Sequence, residues 1–168
     1  MSIHRVPRSI DRPSSRDVRI GLISDTHGLL RPEAVRALSR AEQIIHAGDV
    51  GGPGVIDGLR SLAPVQAVRG NNDRDAWGQS LPVRLSLDVA GVRILVLHDL
   101  NELESSGATD YRVVVAGHSH KPSVVERDGI LFVNPGSAGP RRFTLPVTIG
   151  YLTIAQGAPK AEICNLPE

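Results

Sequence analysis

The sequence predicts a layered α/β protein, in which two mixed β-sheets pack together and helices cover the outside. Two observations favour this fold class. In the first half of the chain, apolar strand-like segments alternate with helix-like segments, which is typical of parallel strands joined by crossover helices. In the second half, short β-rich segments follow one another across tight turns, which indicates mostly antiparallel pairing.

The first half contains a βαβαβ pattern. Apolar runs predict strands at residues 18–24, 43–47 and 65–69. Pro32 favours the first turn of a helix that continues to about residue 40, and a shorter helix is expected at 55–61. The three strands should therefore pair in parallel through right-handed crossovers.

The second half is richer in hairpin signals. Ala90-Gly91 and Asp128-Gly129 each separate two β-rich runs, as two-residue hairpin turns do. A short helix is expected at 100–106. The pattern predicts further strands at 85–89, 92–97, 113–116, 123–126, 130–133, 148–154 and 161–164.

The length of 168 residues fits one domain, which we place at residues 18–168. Residues 1–17 are expected to form a flexible leader, because they contain four arginines among prolines and serines and no apolar run. A binding arm is the alternative interpretation of these arginines.

Charge and composition exclude several classes of partner. A formal net charge of +1 gives no reason to expect nucleic acid or an anionic membrane, so a small substrate fits better. Cys164 is the single cysteine, which excludes an internal disulfide and a thiolate metal cluster. Since no run of 18 apolar residues occurs, we expect a soluble, cytoplasmic protein, with homo-oligomerisation left open.

Five polar clusters hold most of the side chains that could bind a metal, and each follows an apolar run. Because the ends of neighbouring strands meet at one edge of a sheet, carboxylates, imidazoles and an amide could converge there and bind two metals, as in a hydrolase. The clusters are Asp25-Thr26-His27, Gly48-Asp49, Gly70-Asn71-Asn72-Asp73, His98-Asp99 and Gly117-His118-Ser119-His120.

Spacing within the clusters supports shared ligation. Asp25 and His27 are two residues apart, as are His118 and His120, so on extended segments both members of each pair would point to one side. The Asp49 carboxylate has two oxygens that could bridge two cations. A strand-end cap is the alternative role for Asp25, and an ordinary turn aspartate is the alternative for Asp49.

Three further positions are open to two interpretations. Asn71 could supply a neutral oxygen ligand or simply favour a turn. His98 follows an apolar run, so it is either a ligand or a core histidine. His46 is expected to face away from Asp49, as a satisfied core histidine or as a residue that supports the ligands.

The order D-x-H, G-D, G-N-x-D, H, G-H-x-H resembles that of the calcineurin-like metallophosphoesterases, and within them the small single-domain prokaryotic phosphodiesterases. The resemblance covers about residues 18–142, and residues 134–137 with Arg141 are similar to the terminal loop of that group. It implies a four-layer αββα sandwich of two mixed sheets flanked by helices. It also implies one metal held by Asp25, His27 and His120, a second held by Asn71, His98 and His118, and Asp49 as the bridge.

The resemblance further implies two divalent ions, with Mn²⁺ first and Fe, Zn²⁺ or Ni²⁺ as alternatives, and in-line attack on phosphorus by a hydroxide that bridges them. Asn72 and Asp73 are the candidate catalytic residues. Many superfamily members have a histidine at the position of Asn72 as the leaving-group acid, and an amide has no labile proton to donate. Diesters with good leaving groups should therefore react best.

Lys121 and Arg141 could bind substrate phosphate, or they could be solvated surface residues. Together these features predict a dinuclear phosphodiesterase that hydrolyses small phosphodiesters. A non-catalytic scaffold like the retromer subunit of this fold is the alternative from another class. A phosphomonoesterase and a nuclease are further alternatives.

Overall fold

The computed structural model describes residues 16–104 and 107–168, so most of the predicted leader (1–15) lies outside the described residues. The described chain has three short helices, and none of its helices is long and apolar enough to cross a membrane. The helices are α1 (Pro32–Ala37), α2 (Pro53–Arg60) and α3 (Ala76–Gln79), of which α3 was not predicted. The strands are β1 (Val18–Ile23), β2 (Gln43–His46), β3 (Val65–Ala67), β4 (Arg84–Val89), β5 (Val92–Leu97), β6 (Val113–Val115), β7 (Ser123–Arg127), β8 (Ile130–Asn134), β9 (Thr148–Ala155) and β10 (Ala158–Asn165).

The first sheet has the order β10-β9-β1-β2-β3. Strands β1, β2 and β3 are parallel, as the βαβαβ pattern predicts, and β9 and β10 extend the sheet antiparallel. Ile23, the last residue of β1, lies beside His46, the last residue of β2. The loops that follow these strands therefore begin side by side.

The second sheet has the order β4-β5-β6-β8-β7. Both predicted hairpins are present, as β4-β5 and β7-β8. The centre of the sheet, formed by β5, β6 and β8, is parallel, which the hairpin signals do not reveal. The loops after β5 and β6 consequently leave the same edge of this sheet.

Aliphatic side chains fill the space between the sheets, among them the fully buried Ile20, Leu22 and Ile94. A second apolar cluster joins the outer face of the first sheet to α1 and α2. The outer face of the second sheet is covered by the segment after β5, whose regular part is a 3₁₀ turn at Leu100–Glu102 instead of the predicted helix at 100–106. Residues 105 and 106 of that predicted helix lie outside the described residues. The predicted sandwich of two mixed sheets is confirmed, with few helices around it.

Candidate metal centre

The structure brings together all seven side chains that the sequence suggests as ligands. The loops after β1, β2 and β3 supply Asp25, His27, Asp49 and Asn71 from the first sheet. The loops after β5 and β6 supply His98, His118 and His120 from the second sheet. The cluster thus lies where the edges of the two sheets meet.

Asp25, His27 and His120 form one half of this cluster. Their ligating atoms lie within 4.8 Å of one another. The Nε2 atom of His120 lies 3.3 Å from Oδ1 of Asp25 and 3.4 Å from Nε2 of His27. Asp25 is fully buried, and its Oδ1 has no hydrogen-bond partner among the described residues. A buried carboxylate oxygen without a donor is costly, and a cation would satisfy it, so this half fits a metal ion.

Asn71, His98 and His118 form the other half. The Oδ1 atom of Asn71 lies 3.0 Å from Nε2 of His98 and 3.1 Å from Nδ1 of His118. His98 Nδ1 donates to the backbone carbonyl of Ala47 at 2.7 Å, because a carbonyl oxygen can only accept. Because that bond uses Nδ1, loss of the proton from Nε2 would present the lone pair of Nε2 to a metal.

The Asp49 carboxylate lies between the two halves. Its Oδ2 is 3.4 Å from Nε2 of His98 and 3.8 Å from Nε2 of His27. Asn72 fixes this carboxylate, since its backbone N–H donates to Oδ1 and its side-chain amide donates to Oδ2, both at 2.8 Å. Asp49 is therefore oriented as a bridging ligand would be.

The ligand loops do not have the extended backbone that the sequence spacing suggested. Five of the candidate ligands have left-handed φ angles: 55° at Asp25, 46° at His27, 52° at Asp49, 71° at His118 and 61° at His120. Such angles cost roughly 1–3 kcal/mol each at residues other than glycine, and they cluster at functional sites. The side chains of Asp25 and His27 converge on one half of the cluster, whereas His118 and His120 belong to different halves. Both pairs lie in strained turns instead of the alternation of a strand.

Backbone pairing between neighbouring loops stabilises these turns. The N–H of Asp25 donates to the carbonyl of Gly48 at 3.0 Å, and the N–H of His27 donates to the carbonyl of Asp49 at 2.9 Å. Two loops that start from adjacent parallel strands therefore hold one another in the conformation that the ligands require.

His46 stabilises the loops after β1 and β2 through hydrogen bonds with Thr26 and Gly48. It is fully buried, and burial lowers its pKa to about 3, so the ring is neutral. Its Nδ1 accepts from the N–H of Gly48 at 3.2 Å, and its Nε2 therefore donates to the hydroxyl of Thr26 at 2.9 Å. The hydroxyl of Thr26 in turn donates to the carbonyl of Val50. His46 thus contacts the residues between the ligands and not the ligands themselves.

Asp73 has a similar supporting position. Its buried carboxylate accepts three backbone N–H bonds, from Val50 at 3.1 Å, Gly51 at 3.0 Å and Gly70 at 2.8 Å. It ties the loop after β2 to the loop after β3. The hydrogen bonds of this carboxylate hold the two loops together, so the geometry indicates a positioning role for Asp73, and the catalytic role suggested by the sequence stays a prediction.

Hydrogen bonds and burial set the charges in the cluster. Burial alone would raise the pKa of Asp49, but hydrogen bonds from His98 and Asn72 hold it well below its usual range. Burial raises the pKa of Asp25, although His98 opposes this effect. Burial would lower the pKa of His98, yet its hydrogen bond with Asp49 leaves that pKa raised. The Asp49 carboxylate is therefore anionic, which is the form that could bind a metal.

The two cations suggested as phosphate ligands occupy different places. Lys121 is exposed and lines a surface cavity beside His120. Arg141 forms an ion pair with Glu168 and lines another cavity, away from the ligands. Arg142 lines the cavity beside His120. Burial lowers the pKa of His120, and the positive charge of Arg142 lowers it further. The sequence shows two adjacent arginines and gives no signal as to which one faces the site.

Asp99 belongs to one of the five polar clusters, but the sequence analysis gave it no role of its own. Its Oδ2 lies 3.7 Å from Nε2 of His118, on the opposite side of the ring from Asn71. The same carboxylate accepts from the N–H of Asn101 at the start of the 3₁₀ turn. Asp99 is thus placed to orient the His118 ring.

Comparison with known proteins identifies the family. Residues 18–157 match the calcineurin-like phosphoesterase superfamily domain. The chain belongs to this superfamily. A probable metallophosphoesterase from Methanothermobacter thermautotrophicus is 36% identical over 140 residues, which cover 76% of this chain and 81% of the relative. The resemblance found in the sequence motifs is therefore confirmed.

Solved structures support the fold. The structure of an archaeal phosphodiesterase matches with a TM-score of 0.73 and 26% identity, over 88% of this chain and 100% of the other. Zinc-bound Vps29 from Entamoeba histolytica matches with a TM-score of 0.67 and 22% identity, over 88% of this chain and 99% of the other. The same sandwich is thus found in a phosphodiesterase and in a protein named for vacuolar sorting.

Proposed function

We propose that this phosphoesterase-superfamily protein is a dinuclear metal-dependent phosphodiesterase that acts on small phosphodiesters. The observation that carries the proposal is the pair of adjacent ligand groups with the Asp49 carboxylate between them. The buried, unpartnered Oδ1 of Asp25 supports it, because that atom needs a cation. The similar archaeal phosphodiesterase favours a diester substrate.

The donor set is oxygen and nitrogen, which suits Mn²⁺ first and Fe, Zn²⁺ or Ni²⁺ as alternatives. Asp25, His27 and His120 would hold one ion, Asn71, His98 and His118 the other, and Asp49 both. A pair of divalent ions supplies an activated water nucleophile and neutralises charge on the phosphoryl oxygens. The chain itself keeps Asp49 anionic, presents the lone pair of His98 Nε2 and orients both through the neighbouring loops.

Asn72 would act on the reaction through Asp49, since both its hydrogen bonds go to that carboxylate. It offers no labile proton to a departing alkoxide. We therefore expect fast turnover of diesters with good leaving groups and slow turnover of unactivated monoesters. We propose a small substrate because the net charge of +1 offers little attraction for polynucleotides. A cytoplasmic location is part of the same proposal.

A scaffold role is the second candidate, and the fold similarity to Vps29 favours it. Because that relative was crystallised with zinc, metal binding by this chain would not by itself distinguish an enzyme from a scaffold. The chain has all seven candidate ligand side chains, and two hydrogen bonds from Asn72 orient Asp49. These features support catalysis over a purely structural use of the site. Turnover decides between the two candidates.

The deciding experiment measures hydrolysis of bis-p-nitrophenyl phosphate by chelator-treated protein before and after addition of Mn²⁺. Asp49→Asn is the matched variant, because it keeps the size of the side chain and removes the bridging charge. We expect metal to restore activity to the wild type and not to the variant, which should retain its fold by circular dichroism. Equal activity in both would contradict the proposal, and inactivity of both with every divalent metal would favour the scaffold.

A further inference from the structure

Beside the metal centre lies a cavity that the proposed reaction leaves without an assigned role. Its volume is about 400 Å³, which is within the range of sites for small organic ligands. His120 forms part of its wall, so the cavity opens directly next to one group of ligands. Lys121, Arg142 and Phe143 are among its other lining residues. We name it the His120 cavity.

Two cations line the His120 cavity. Lys121 and Arg142 come from separate loops, and both are exposed. Arg142 and Lys121 line this cavity together with His120. Two positive groups beside a phosphoryl site favour a substrate with negative charge close to the scissile ester.

Phe143 is the most exposed large apolar residue of the described chain, with 92% of its surface accessible. Its φ of 52° lies in the left-handed region, which is strained for an aromatic residue. No packing in the described structure explains an aromatic ring held in this way. A ring exposed at the wall of a cationic cavity is suited to stack on a planar aromatic group of a ligand.

A second, smaller cavity lies next to the His120 cavity, and Ser119 lines both of them. It has a volume of about 200 Å³, and His118, Leu100 and Phe132 are among its lining residues. No lysine or arginine is among the described residues that line it. A diester with its phosphorus at the metal centre has two arms, and the two cavities differ in size and charge as two unlike arms would require.

We infer that the His120 cavity binds a nucleoside-like arm of the diester substrate, with Phe143 stacking on its base and Arg142 and Lys121 contacting its anionic groups. The inference rests on the proposed phosphodiesterase function and specifies its substrate class. Phe143 and Arg142 are then specificity-determining residues. The smaller cavity receives a compact, uncharged arm.

The test compares two esters that release the same nitrophenolate and differ in the retained arm. The first is thymidine 3′-phosphate 5′-(p-nitrophenyl phosphate), whose arm has a base and an anionic group, and the second is methyl p-nitrophenyl phosphate, whose arm has neither. The wild type should prefer the thymidine ester in kcat/KM. Phe143→Ala should reduce that preference about fivefold or more, as loss of one base–aromatic stack does, with little change for the methyl ester. Arg142→Gln should also reduce it, whereas Arg60→Gln, which removes a charge from α2, should not.

Binding of thymidine 5′-monophosphate, measured by calorimetry for wild type and variants, gives a readout that does not depend on turnover. Hydrolysis of the methyl ester with no preference for the thymidine ester would overturn the inference and leave the proposed function standing. Equal nucleotide binding by wild type, Phe143→Ala and Arg142→Gln would also overturn it. Loss of preference in Arg141→Gln instead would overturn the assignment to Arg142. If neither ester is hydrolysed, the proposed function fails and nucleotide binding alone decides the inference.

Discussion

At the level of single residues, Asn72 stands where many superfamily members have a histidine, and in this structure its side chain contacts Asp49. Its amide donates to Oδ2 of Asp49 at 2.8 Å, so its side chain supports the proposed bridging ligand and cannot protonate a leaving group. We expect Asn72→His to raise the ratio of monoesterase to diesterase activity about tenfold or more, because an imidazole at this position can serve as an acid. The measurement is kcat/KM for the unactivated monoester β-glycerophosphate, followed by phosphate release, and for bis-p-nitrophenyl phosphate.

Asn72→Ala is the matched control for that substitution. It removes the same hydrogen bond to Asp49 without adding an acid, so both activities should fall and their ratio should stay near that of the wild type. If the alanine variant raises the ratio as much as the histidine variant, protonation is not the reason for the change. An unchanged ratio in Asn72→His would contradict the account of Asn72 directly.

His46 gives a prediction about stability and pH. The folded protein holds its ring neutral down to about pH 3, whereas the unfolded chain binds a proton near pH 6.5. The stability that depends on the neutral ring is therefore fully present above pH 6.5. It is lost as the pH falls toward 3, by at most about 1.4 kcal/mol per pH unit.

Urea unfolding of chelator-treated protein at pH 7.5, 6.5 and 5.5 measures this loss. His46→Gln is the comparison, because its amide can still donate to Thr26 but does not titrate. The variant should be less stable at pH 7.5 and show a shallower decline on acidification. Parallel declines in the two proteins would mean that other groups, such as the ligand histidines, cause the pH dependence.

At the level of elements, the loops after β2 and β3 approach so closely that only glycine fits between them. A Cβ atom at Gly70 would lie 2.1 Å from Oδ1 of Asp49 and 2.3 Å from its backbone nitrogen. Gly70→Ala must therefore displace the Asp49 carboxylate, the proposed bridging ligand. We expect at least about tenfold weaker activation by Mn²⁺, in line with the effect of losing a group that supports a ligand.

Gly54→Ala is the control for Gly70→Ala. Gly54 lies in α2, and an added Cβ meets nothing within 4 Å. This variant should keep the metal dependence of the wild type and gain about 0.5–1 kcal/mol in the free energy of unfolding, because alanine loses less backbone entropy in a helix. Equal weakening of metal activation in both variants would show that the tight approach at Gly70 is not the cause.

The elements also show which features the sequence encodes locally. Strands β1, β2 and β5 lie where predicted, because each apolar run ends at a polar ligand cluster. The left-handed turns at Asp25 and His27 were not predictable, since they depend on hydrogen bonds to the loop after β2, far along the chain. Helix α3 has four residues, too few to show a helical period. The choice between Arg141 and Arg142 likewise depends on tertiary contacts, with Glu168 holding Arg141 away from the ligands.

At the level of the whole molecule, the ligand cluster joins the two sheets, because Asp25, His27, Asp49 and Asn71 belong to the first and His98, His118 and His120 to the second. The buried Oδ1 of Asp25 has no hydrogen-bond partner among the described residues. Metal binding should therefore stabilise the association of the sheets as well as the loops. A ligand that binds only the folded state at 100 times its Kd adds about 2.7 kcal/mol to the free energy of unfolding.

For a protein of this size, that gain corresponds to a rise in Tm of roughly 5–11 °C. We expect Mn²⁺ at saturating concentration to produce such a rise in the wild type and to leave Asp49→Asn nearly unchanged, because the variant lacks the charge shared by both halves of the site. Calorimetric scans with chelator and with Mn²⁺ measure the difference. An equal rise in both proteins would place the stabilising metal away from Asp49. A rise in the wild type with no hydrolysis of any diester would show a metal-stabilised scaffold, so that stability and turnover together assign the site.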